Sequence, residues 1–422
     1  MKKIFLLLVC SLLAINCSNA KSKAKKDAAP KYIFYFIGDG MGVNQVNAAE
    51  IYLGQVQNGS GTSPLCFSSF PNVAFVTTYS GSSDVTDSAA AGTALACGQK
   101  TQNGALGLDN SLQSPINSIA WTAQQNGMAV GVTTTVTTDH ATPAAFYAHT
   151  KSRNDKEIIR QQRAESGYDF ILGAPDDGKL PYRLDRQPGQ LSQADIVRMA
   201  IDSLQRVNPK GFFLMSEGGM IDYACHSNDA AAMIGETLDF DDAIHQAYDF
   251  YQQHPDETLI VVTADHETGG LVLTHGNYEI HLDRLQHQKM TISHLGSAIN
   301  ELRKTQGANF GWESMQEFLK QNFGLGSALS LSPSQAKRLQ TAFENTERGI
   351  GKNEKTLYQE DSEFCVCVRK IMLEKAHVNF AHTCHSAGYV PCFAIGVGAE
   401  QFQGRIDNTD IPKRIAQIAK WK

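Results

Sequence analysis

The sequence predicts an α/β fold with three layers, in which helices cover both faces of a central, mostly parallel sheet. One observation behind this prediction is that short apolar runs alternate with helical stretches along most of the chain, as they do where helices join parallel strands. Another is that acidic, histidine and hydroxyl side chains follow several of these runs directly. Open α/β sheets bind ligands at the carboxyl edge of their strands, so the second pattern also predicts where the functional site lies.

The predicted strands are short and apolar, and they cover 31–37, 73–79, 130–135, 212–216, 259–263 and 392–397. Helical patterning lies between several of them, at 88–96, 155–165, 193–205 and 229–253. Residues 276–380 are instead rich in Gln, Lys, Glu and Ser, with helical patterning around 293–304, 314–322 and 334–345. We interpret them as a mainly helical insertion that caps the site, within one domain of residues 31–422.

The first 20 residues have the pattern of a secretory signal, and they are not expected to belong to the folded domain. Two lysines precede a short apolar run, and small residues up to Ala20 provide a cleavage point. Residues 1–20 are therefore predicted to be a secretory signal, too short to span a bilayer, and the lysine-rich residues 21–30 to be a flexible leader. We expect secretion across the inner membrane into the periplasm, with lipid anchoring through Cys17 as the alternative interpretation.

Composition narrows the classes of partner. The formal net charge of −6 at pH 7 argues against nucleic acid as a specific partner. No apolar run after the signal reaches the ~20 residues that a membrane-spanning helix needs. Seven of the nine cysteines follow Ala20, and this odd number leaves at least one thiol unpaired unless it bonds another chain.

Groups of polar residues follow the predicted strands, and each group taken alone has an ordinary explanation. Asp39 suits a turn after a strand, and Asp87 with Ser88 suits the start of a helix. A serine in that position also lies near backbone N–H groups and the positive end of the helix dipole, which favour a phosphate ester. Adjacent Asp265 and His266 at the end of a buried strand would be costly without partners, and a metal ion is one such partner.

Taken together, the groups contain the donors that two zinc sites and an oxygen-rich magnesium site require. The donors are acids, histidines and hydroxyls: Asp39, Ser88, Thr142, Glu217, Asp222, His226, Asp265, His266 and a late histidine. Paired metal ions about 3.5–4 Å apart stabilise the attacking and leaving oxygens of an in-line displacement. Arg153 offers the bidentate guanidinium that suits phosphoryl oxygens.

The same groups stand in strings that resemble the alkaline phosphatase family. The strings are IGDGMG (37–42), DVTDSAAAGTAL (84–95), HATPAAFYAHTKSR (140–153), EGGMID (217–222) and VTADHETGG (262–270). Their order and spacing also match, and the resemblance covers most of the chain outside 1–30 and 276–380. It implies an alkaline phosphatase-like fold, hydrolysis of small phosphate monoesters with release of inorganic phosphate, and a homodimer.

The resemblance also implies a role for each residue. Ser88 would be the nucleophile that is transiently phosphorylated, and Arg153 would hold the phosphate. Two zinc ions and one magnesium ion would be bound per chain. The first zinc would be held by Asp222, His226 and His385, the second by Asp39, Asp265, His266 and Ser88, and the magnesium by Asp39, Thr142 and Glu217.

Three positions depart from the family pattern or leave alternatives open. His382 is an alternative to His385 for the first zinc, and the interval back from residues 393–396 favours His385. His140 would contact the magnesium directly or through a water molecule. Tyr223 stands where a lysine or histidine is common, which implies that one phosphate-stabilising cation is absent.

Two other functions stay open as alternatives. One is a phosphodiesterase or sulfatase of the same broad superfamily, although Arg153 favours a monoester, whose additional anionic oxygen needs a cation. The sequence contains no Cys-x-Pro-x-Arg string of the kind that sulfatases share. The other is a non-catalytic surface protein that keeps a phosphate-binding fold. Such a protein would have lost the nucleophile or several ligands, whereas all the essential residue types are present here.

Overall fold

A computed structural model describes residues 29–421 except 176, 177, 275 and 277. The predicted signal, Cys17 and most of the predicted leader therefore lie outside the described residues. Within the described part of the chain, no helix combines the length and the apolar composition that crossing a membrane requires. The seven cysteines after Ala20 are all free thiols there.

The strands of the described chain are β1 (Tyr32–Gly38), β2 (Asn72–Thr77), β3 (Ala129–Thr137), β4 (Phe170–Ala174), β5 (Phe212–Gly218), β6 (Thr258–Ala264), β7 (Glu267–Thr268), β8 (Leu271–Val272), β9 (Glu354–Lys355), β10 (Glu360–Asp361), β11 (Asn379–Phe380), β12 (His385–Ser386), β13 (Val390–Gly396) and β14 (Gly404–Asp407). Its α-helices are α1 (Val43–Asn58), α2 (Ser88–Cys97), α3 (Ile119–Gln125), α4 (Ala141–Ala144), α5 (Lys156–Glu165), α6 (Gln193–Val207), α7 (Met220–His226), α8 (Ala230–Gln253), α9 (Ile292–Gln306), α10 (Trp312–Phe323), α11 (Pro333–Glu347), α12 (Glu363–Ala376) and α13 (Asp410–Ile418).

Eight of these strands form one sheet, in the order β14-β2-β13-β6-β1-β5-β3-β4. Seven of them run in the same direction, and β13 runs antiparallel to its neighbours β2 and β6. β1 pairs with β5 and β6 so that Gly38 lies beside both Gly218 and Ala264. The central strands therefore end level, and the residues that follow them meet at one edge of the sheet.

Alternating side chains of β1 pack against helices on opposite faces of the sheet. The ring of Phe34 meets the ring of Phe250 in α8 edge-on, with the centroids 5.5 Å apart. Tyr35 points to the other face, where its hydroxyl donates to the carbonyl of Leu95 in α2. The helices on both faces of a mostly parallel sheet confirm the predicted three-layer αβα fold.

The six predicted strands and the four predicted helices of the sheet region are all present, with ends that differ by a few residues. The sequence pattern does not reveal β4 and β14, which are the two edge strands. β14 contains a single apolar side chain, that of Ile406, and so presents no apolar run, whereas β4 is an apolar run of five residues (Phe170–Ala174) of which only the last is buried. The pattern also misses α1, because its buried face includes the polar Gln45 and the small Gly54.

Residues 276–380 contain the helices α9, α10, α11 and α12 and the hairpin of β9 and β10. The predicted helical patterning coincides with the first three of these helices, whereas α12 has no counterpart in the sequence pattern. β8 pairs antiparallel with β11, so the chain enters and leaves this segment side by side. The division of the chain into one domain and an insertion stays a prediction.

Candidate active site

The loop after β1 brings Asp39 into the centre of the site, where it is fully buried. Gly40 in this loop has a φ of +73°, and a Cβ there would lie 2.9 Å from the Cα of Asp222. Glycine therefore allows the loop to approach α7 this closely. The Gly40 amide donates a hydrogen bond to Asp265 Oδ1 over 3.1 Å, which joins the loop to the end of β6.

Ser88 is the first residue of α2, and Asp87 caps this helix by accepting a hydrogen bond from the Ala90 amide over 3.0 Å. The Ser88 side chain is 1% exposed, and its Oγ lies 3.2 Å from Nε2 of His266. The hydroxyl thus lies beside a potential metal ligand and at the positive end of a helix dipole. Ser88 therefore both begins the helix and occupies the position expected of a nucleophile.

The first group of potential ligands is Asp222, His226 and His385. Nε2 of His226 lies 3.2 Å from Asp222 Oδ2 and 3.2 Å from Nε2 of His385. Nδ1 of His226 faces the Thr383 carbonyl at 2.6 Å, and Nδ1 of His385 faces the Thr86 carbonyl at 2.9 Å. A carbonyl only accepts, so Nδ1 carries the proton in both rings and the two Nε2 atoms present their lone pairs to the group.

His382 lies outside this group. Its Nδ1 accepts a hydrogen bond from the Cys384 amide over 3.2 Å, and its ring lies against Gly270. The structure therefore brings His385, and not His382, to Asp222.

The second group is Asp39, Asp265 and His266. Nε2 of His266 lies 3.2 Å from Asp265 Oδ2 and 3.4 Å from Asp39 Oδ1. The His266 ring stacks on the ring of His385, with the centroids 3.6 Å apart. The first and second groups are therefore adjacent, and the Ser88 hydroxyl lies at the second.

The third group is Asp39, His140 and Glu217, so Asp39 is shared between the second and third groups. The Thr134 hydroxyl donates a hydrogen bond to the Glu217 carboxylate. The hydroxyls of Thr134 and Thr142 both oppose the rise that burial causes in the pKa of Glu217, which places them near this carboxylate, and Thr142 Oγ1 has no hydrogen-bond partner among the described residues. The third group, with two carboxylates and one histidine, has one carboxylate more than the first group and as many as the second.

The three groups bring four carboxylates together in the interior of the protein. Asp39, Glu217, Asp222 and Asp265 are all fully buried. Burial raises the pKa of Glu217 to about 7 and that of Asp265 to about 8, and it raises the pKa of Asp39 well above its usual range. Burial alone would raise the pKa of Asp222, but the positive charge that His226, His385 and His266 carry when protonated more than offsets it and holds this pKa below its usual range.

Each of these four carboxylates has an oxygen without a hydrogen-bond partner in the described part of the chain. Buried acids in such a cluster are costly unless cations neutralise them. The donor set, the burial and the unpartnered oxygens therefore all fit bound divalent metal ions.

A family model described as alkaline phosphatase matches residues 30–169 and 154–421 of this chain. The chain belongs to the alkaline phosphatase family. Alkaline phosphatase 4 of Bacillus subtilis (strain 168) is 29% identical to it, over 95% of this chain and 91% of that protein. Alkaline phosphatase 3 of the same organism is 28% identical, with the same coverage of 95% and 91%.

Solved alkaline phosphatase structures have the same fold. The cold-active alkaline phosphatase of a psychrophilic Shewanella sp. is 27% identical, with a TM-score of 0.79 over 92% of this chain and 99% of that one. The Thermus thermophilus alkaline phosphatase is 24% identical, with a TM-score of 0.76 over 94% and 93%. Hydrolysis of phosphate monoesters with the help of metal ions is the activity of the family, so the predictions of family and activity are confirmed and this chain is a phosphoric monoester hydrolase.

In this phosphatase, Arg153 bridges the cap of α2 and the third group. Its Nη1 lies 3.3 Å from Asp87 Oδ2, and its Nη2 lies 3.3 Å from Nε2 of His140. Its backbone amide donates to the Gly104 carbonyl over 2.7 Å. The Arg153 side chain is 22% exposed, so it is partly accessible to solvent.

Sequence reasoning misses Tyr358, which the structure of this phosphatase adds to the site. Its ring stacks on the ring of Tyr223, with the centroids 3.7 Å apart and 16° between the planes. It also meets the ring of His226 edge-on at 5.2 Å. Tyr358 belongs to residues 276–380, far from the family strings, and no local pattern marks it. Only knowledge of which segments meet in space could have found it.

Tyr358 lies in the loop of the β9–β10 hairpin, and Arg369 of α12 holds that hairpin in place. The Arg369 guanidinium forms ion pairs with Glu354 and, over 3.2 Å, with Asp361. Arg369 and Asp361 are only 3% and 5% exposed. Both strands are thus bonded to one buried cation, which fixes where the loop carries Tyr358.

Proposed function

We propose that this phosphatase acts in two displacements, with Ser88 as the nucleophile of the first. The observation that carries the proposal is the position of Ser88 Oγ, 3.2 Å from His266 Nε2 at the N-terminus of α2. The backbone amides and the dipole at that helix start favour the phosphate ester that Ser88 would carry.

In the first displacement, the Ser88 oxygen attacks phosphorus and the alcohol of the ester leaves. In the second, water attacks the phosphoserine and releases inorganic phosphate. Arg153 binds two phosphoryl oxygens through its guanidinium, which Asp87 orients from 3.3 Å. Zinc bound at the first and second groups would lower the pKa of coordinated hydroxyls and stabilise negative charge on the leaving oxygen. Two in-line displacements retain the configuration at phosphorus.

The metal content that we propose is two zinc ions and one magnesium ion per chain. The first and second groups combine imidazole with carboxylate donors, which zinc accepts readily. The third group, completed by Thr142, suits magnesium because of its oxygen donors. Two variants of the alkaline phosphatase of the Antarctic bacterium TAB5, each with one histidine replaced by an acid, hold magnesium in their M3 site, and that enzyme is 25% identical to this chain.

His140 can take part in the third group in either of two ways. Its Nε2 faces Arg153, and its Nδ1 has no hydrogen-bond partner among the described residues. The guanidinium only donates, so Nε2 accepts and Nδ1 carries the proton, and Nδ1 then donates a hydrogen bond to a water molecule on the metal. Direct coordination of magnesium by Nδ1 requires the ring to give up the hydrogen bond from Arg153. Both arrangements are compatible with the shared role of Asp39 in the second and third groups.

Trapping the phosphoenzyme tests the nucleophile. The protein is incubated with an aryl phosphate, quenched in acid, digested and examined by mass spectrometry. We expect phosphate on the peptide that contains Ser88, and none in the Ser88→Ala variant. The Ser83→Ala variant, which changes an exposed serine of the preceding loop, should retain the label. Phosphate on another residue, or full turnover by Ser88→Ala, would contradict the proposal.

Comparing rates on an aryl phosphate, a bis-aryl phosphate and an aryl sulfate tests the substrate class. The position of Arg153 beside the Ser88 helix favours the monoester, because its additional negative oxygen is matched by the guanidinium. A dominant rate on the diester or on the sulfate would contradict this assignment.

We also propose that residues 1–20 direct export to the periplasm and that the mature enzyme is a homodimer. A mature N-terminus at Lys21, measured by mass spectrometry, would support cleavage of the signal, whereas an acylated Cys17 would support a lipid anchor. Light scattering of the purified enzyme measures its mass, and a mass of one chain would contradict the dimer.

A further inference from the structure

Three potential metal ligands meet at the root of the 276–380 segment: Glu279, His281 and His377. They share no residue with the three active-site groups. The His281 amide donates to the carbonyl of Ala376 over 2.9 Å, and the pairing of β8 with β11 lies next to this contact. The incoming and outgoing ends of the segment are therefore already held together where the three side chains converge.

The donor atoms of this cluster have the spacing of a tetrahedral metal site. Glu279 Oε2 lies 3.5 Å from Nε2 of His281 and 3.9 Å from Nδ1 of His377. The two imidazole rings have their centroids 4.9 Å apart, at 68° to one another. Ligand atoms bound about 2.0–2.2 Å from a tetrahedral zinc ion lie roughly 3.3–3.5 Å from one another. Side-chain movements of a few tenths of an ångström would bring these donors to that geometry.

The backbone at His377 is a separate sign that its side chain has a role. His377 follows the last residue of α12 and has a φ of +56°, in the left-handed region. Glycine is the usual residue at such a helix end, because a Cβ is unfavourable there. The chain nevertheless has an imidazole at this position, directed at Glu279 and His281.

The charges around the cluster also matter. The guanidinium of Arg284 lies beside His377, but it donates a hydrogen bond to the Lys375 carbonyl over 2.9 Å at the negative end of α12. Glu279 supplies a negative charge directly to the cluster and is 61% exposed. A cation bound here would therefore be neutralised in part by Glu279 and would be reached from solvent.

We propose that Glu279, His281 and His377 bind a zinc ion that joins the two ends of the segment. Two imidazoles and one carboxylate form a zinc donor set, and a water molecule completes the tetrahedron. Such an ion closes the loop formed by the whole segment, so its binding energy favours the folded state. Tyr358 lies within that loop, so the ion also supports the part of the segment that reaches the active site.

Zinc content per chain tests the proposal in the intact holoenzyme. Wild type and the H281A/H377A variant are dialysed against the same zinc-containing buffer and analysed by mass spectrometry for metal. We expect the variant to contain one zinc ion per chain fewer. The control is H245A, which removes a histidine that pairs at 3.8 Å with a single carboxylate, that of Asp241, and it should leave the zinc content unchanged. Equal zinc contents in wild type and H281A/H377A would overturn the proposal.

Calorimetric titration with zinc measures the affinity of the same site. We expect one binding event in the wild-type holoenzyme and in H245A that is missing from both E279Q and H281A/H377A. The rate on an aryl phosphate, measured in parallel, should stay within about twofold in every variant. The titration therefore tests zinc binding at the cluster, and the rate on the aryl phosphate separately reports on the active site. Identical titrations of wild type and both cluster variants would count against the site.

Discussion

The carboxyl edge of the sheet and the 276–380 segment both supply side chains to one site, but they position them differently. At the edge, Asp39 and Asp265 directly follow fully buried strands and Ser88 begins a helix, so regular backbone structure fixes all three. In the segment, Tyr358 stands in a hairpin loop whose position depends on the ion pairs of Arg369. The sheet edge therefore positions the residues that carry the chemistry, whereas the β9–β10 hairpin, which Arg369 supports, positions one of the side chains around them.

Removal of the metal ions should show the largest difference between the sheet edge and the 276–380 segment, because the proposed catalytic metals are bound at the edge. We expect prolonged chelation to lower kcat by about 10³-fold or more, because the groups at the sheet edge would then act without their cations. It should also lower the unfolding temperature, because four fully buried carboxylates lose their compensation and metal binding favours the folded state. Assays and calorimetry before chelation, after it, and after zinc and magnesium are restored measure both effects.

The H281A/H377A variant serves as the control for chelation, because it removes the cluster at the root of the segment and leaves the sheet edge intact. Its kcat should fall on chelation as far as that of wild type. Full activity in protein whose metal content has been shown to be negligible would contradict metal dependence at the sheet edge.

Arg153 tests how much of the rate depends on a single side chain of the edge. We expect Arg153→Ala to lower kcat/KM by about 10²-fold, because a preorganised charge facing the phosphoryl group is lost. Arg153→Lys should recover only part of this loss, since an ammonium lacks the two-pronged geometry. Steady-state kinetics on an aryl phosphate measures the effect. Arg160→Ala removes an arginine that binds Asp139 at 2.8 Å, and a loss as large as that of Arg153→Ala would count against the proposed role.

The sequence alone predicts the centre of the sheet and the residues at its edge, and the reason is physical. A parallel strand that is buried on both faces needs a continuous apolar run, as in the seven buried residues of β1 and of β6. Because such strands end level, the polar residues next in sequence meet in space. Asp39 and Asp265 are predictable in this way, and the family strings add the roles that we propose for them.

The same reasoning fails where position depends on contacts between distant segments. The edge strands β4 and β14 bury one residue each, and β14 has no apolar run that would mark it as a strand. Tyr358 reaches Tyr223 only because Arg369 holds its hairpin, and His377 meets Glu279 only because β11 pairs with β8. No local pattern around Tyr358 or His377 carries this information.

Glu236 of α8 shows what burial does to a carboxyl that lies outside the three metal-ligand groups, even with Arg186 and Arg183 nearby. Burial, with Asp239 nearby, raises its pKa to about 8, which matches the pKa of Asp265. An unfolded glutamate titrates near pH 4.3, so between about pH 4.3 and about pH 8 the folded state binds the extra proton. The free energy of unfolding that depends on Glu236 is therefore fully present below that interval and declines as the pH rises through it.

We expect the stability of Glu236→Gln relative to wild type to increase by about 4 kcal/mol between pH 5 and pH 8.5, because each pKa unit that separates the folded from the unfolded state corresponds to about 1.4 kcal/mol. The amide keeps an oxygen to accept the Arg183 backbone hydrogen bond and cannot ionise. Urea unfolding at pH 5, 6.5 and 8.5 measures the difference, with Glu400→Gln at an exposed position as the control. A constant offset across the three pH values would show that ionisation of Glu236 is not the cause.

Tyr358 gives the smallest expected effect and the sharpest test of whether the segment takes part in substrate binding. We expect Tyr358→Ala to raise KM for aryl phosphates about fivefold and to leave kcat within about twofold, because the ring borders the first group and burial raises the pKa of its hydroxyl, which makes it a poor proton donor. Tyr358→Phe keeps the stack on Tyr223 and should resemble wild type. Leu357→Ala changes the neighbouring side chain of the same loop, which is 64% exposed, and is the matched control.

Arg369→Met separates the contact that Tyr358 makes from the support that holds it. Loss of the buried cation leaves Asp361 unpaired and frees the hairpin, so the variant should be less stable by about 3–5 kcal/mol. Its KM should rise as in Tyr358→Ala, and the two changes combined should raise KM no further, because both act through the same ring. If the two increases in KM instead multiply, Arg369 influences the site by a route that does not pass through Tyr358. The sheet edge would then depend on the segment for more than one aromatic contact.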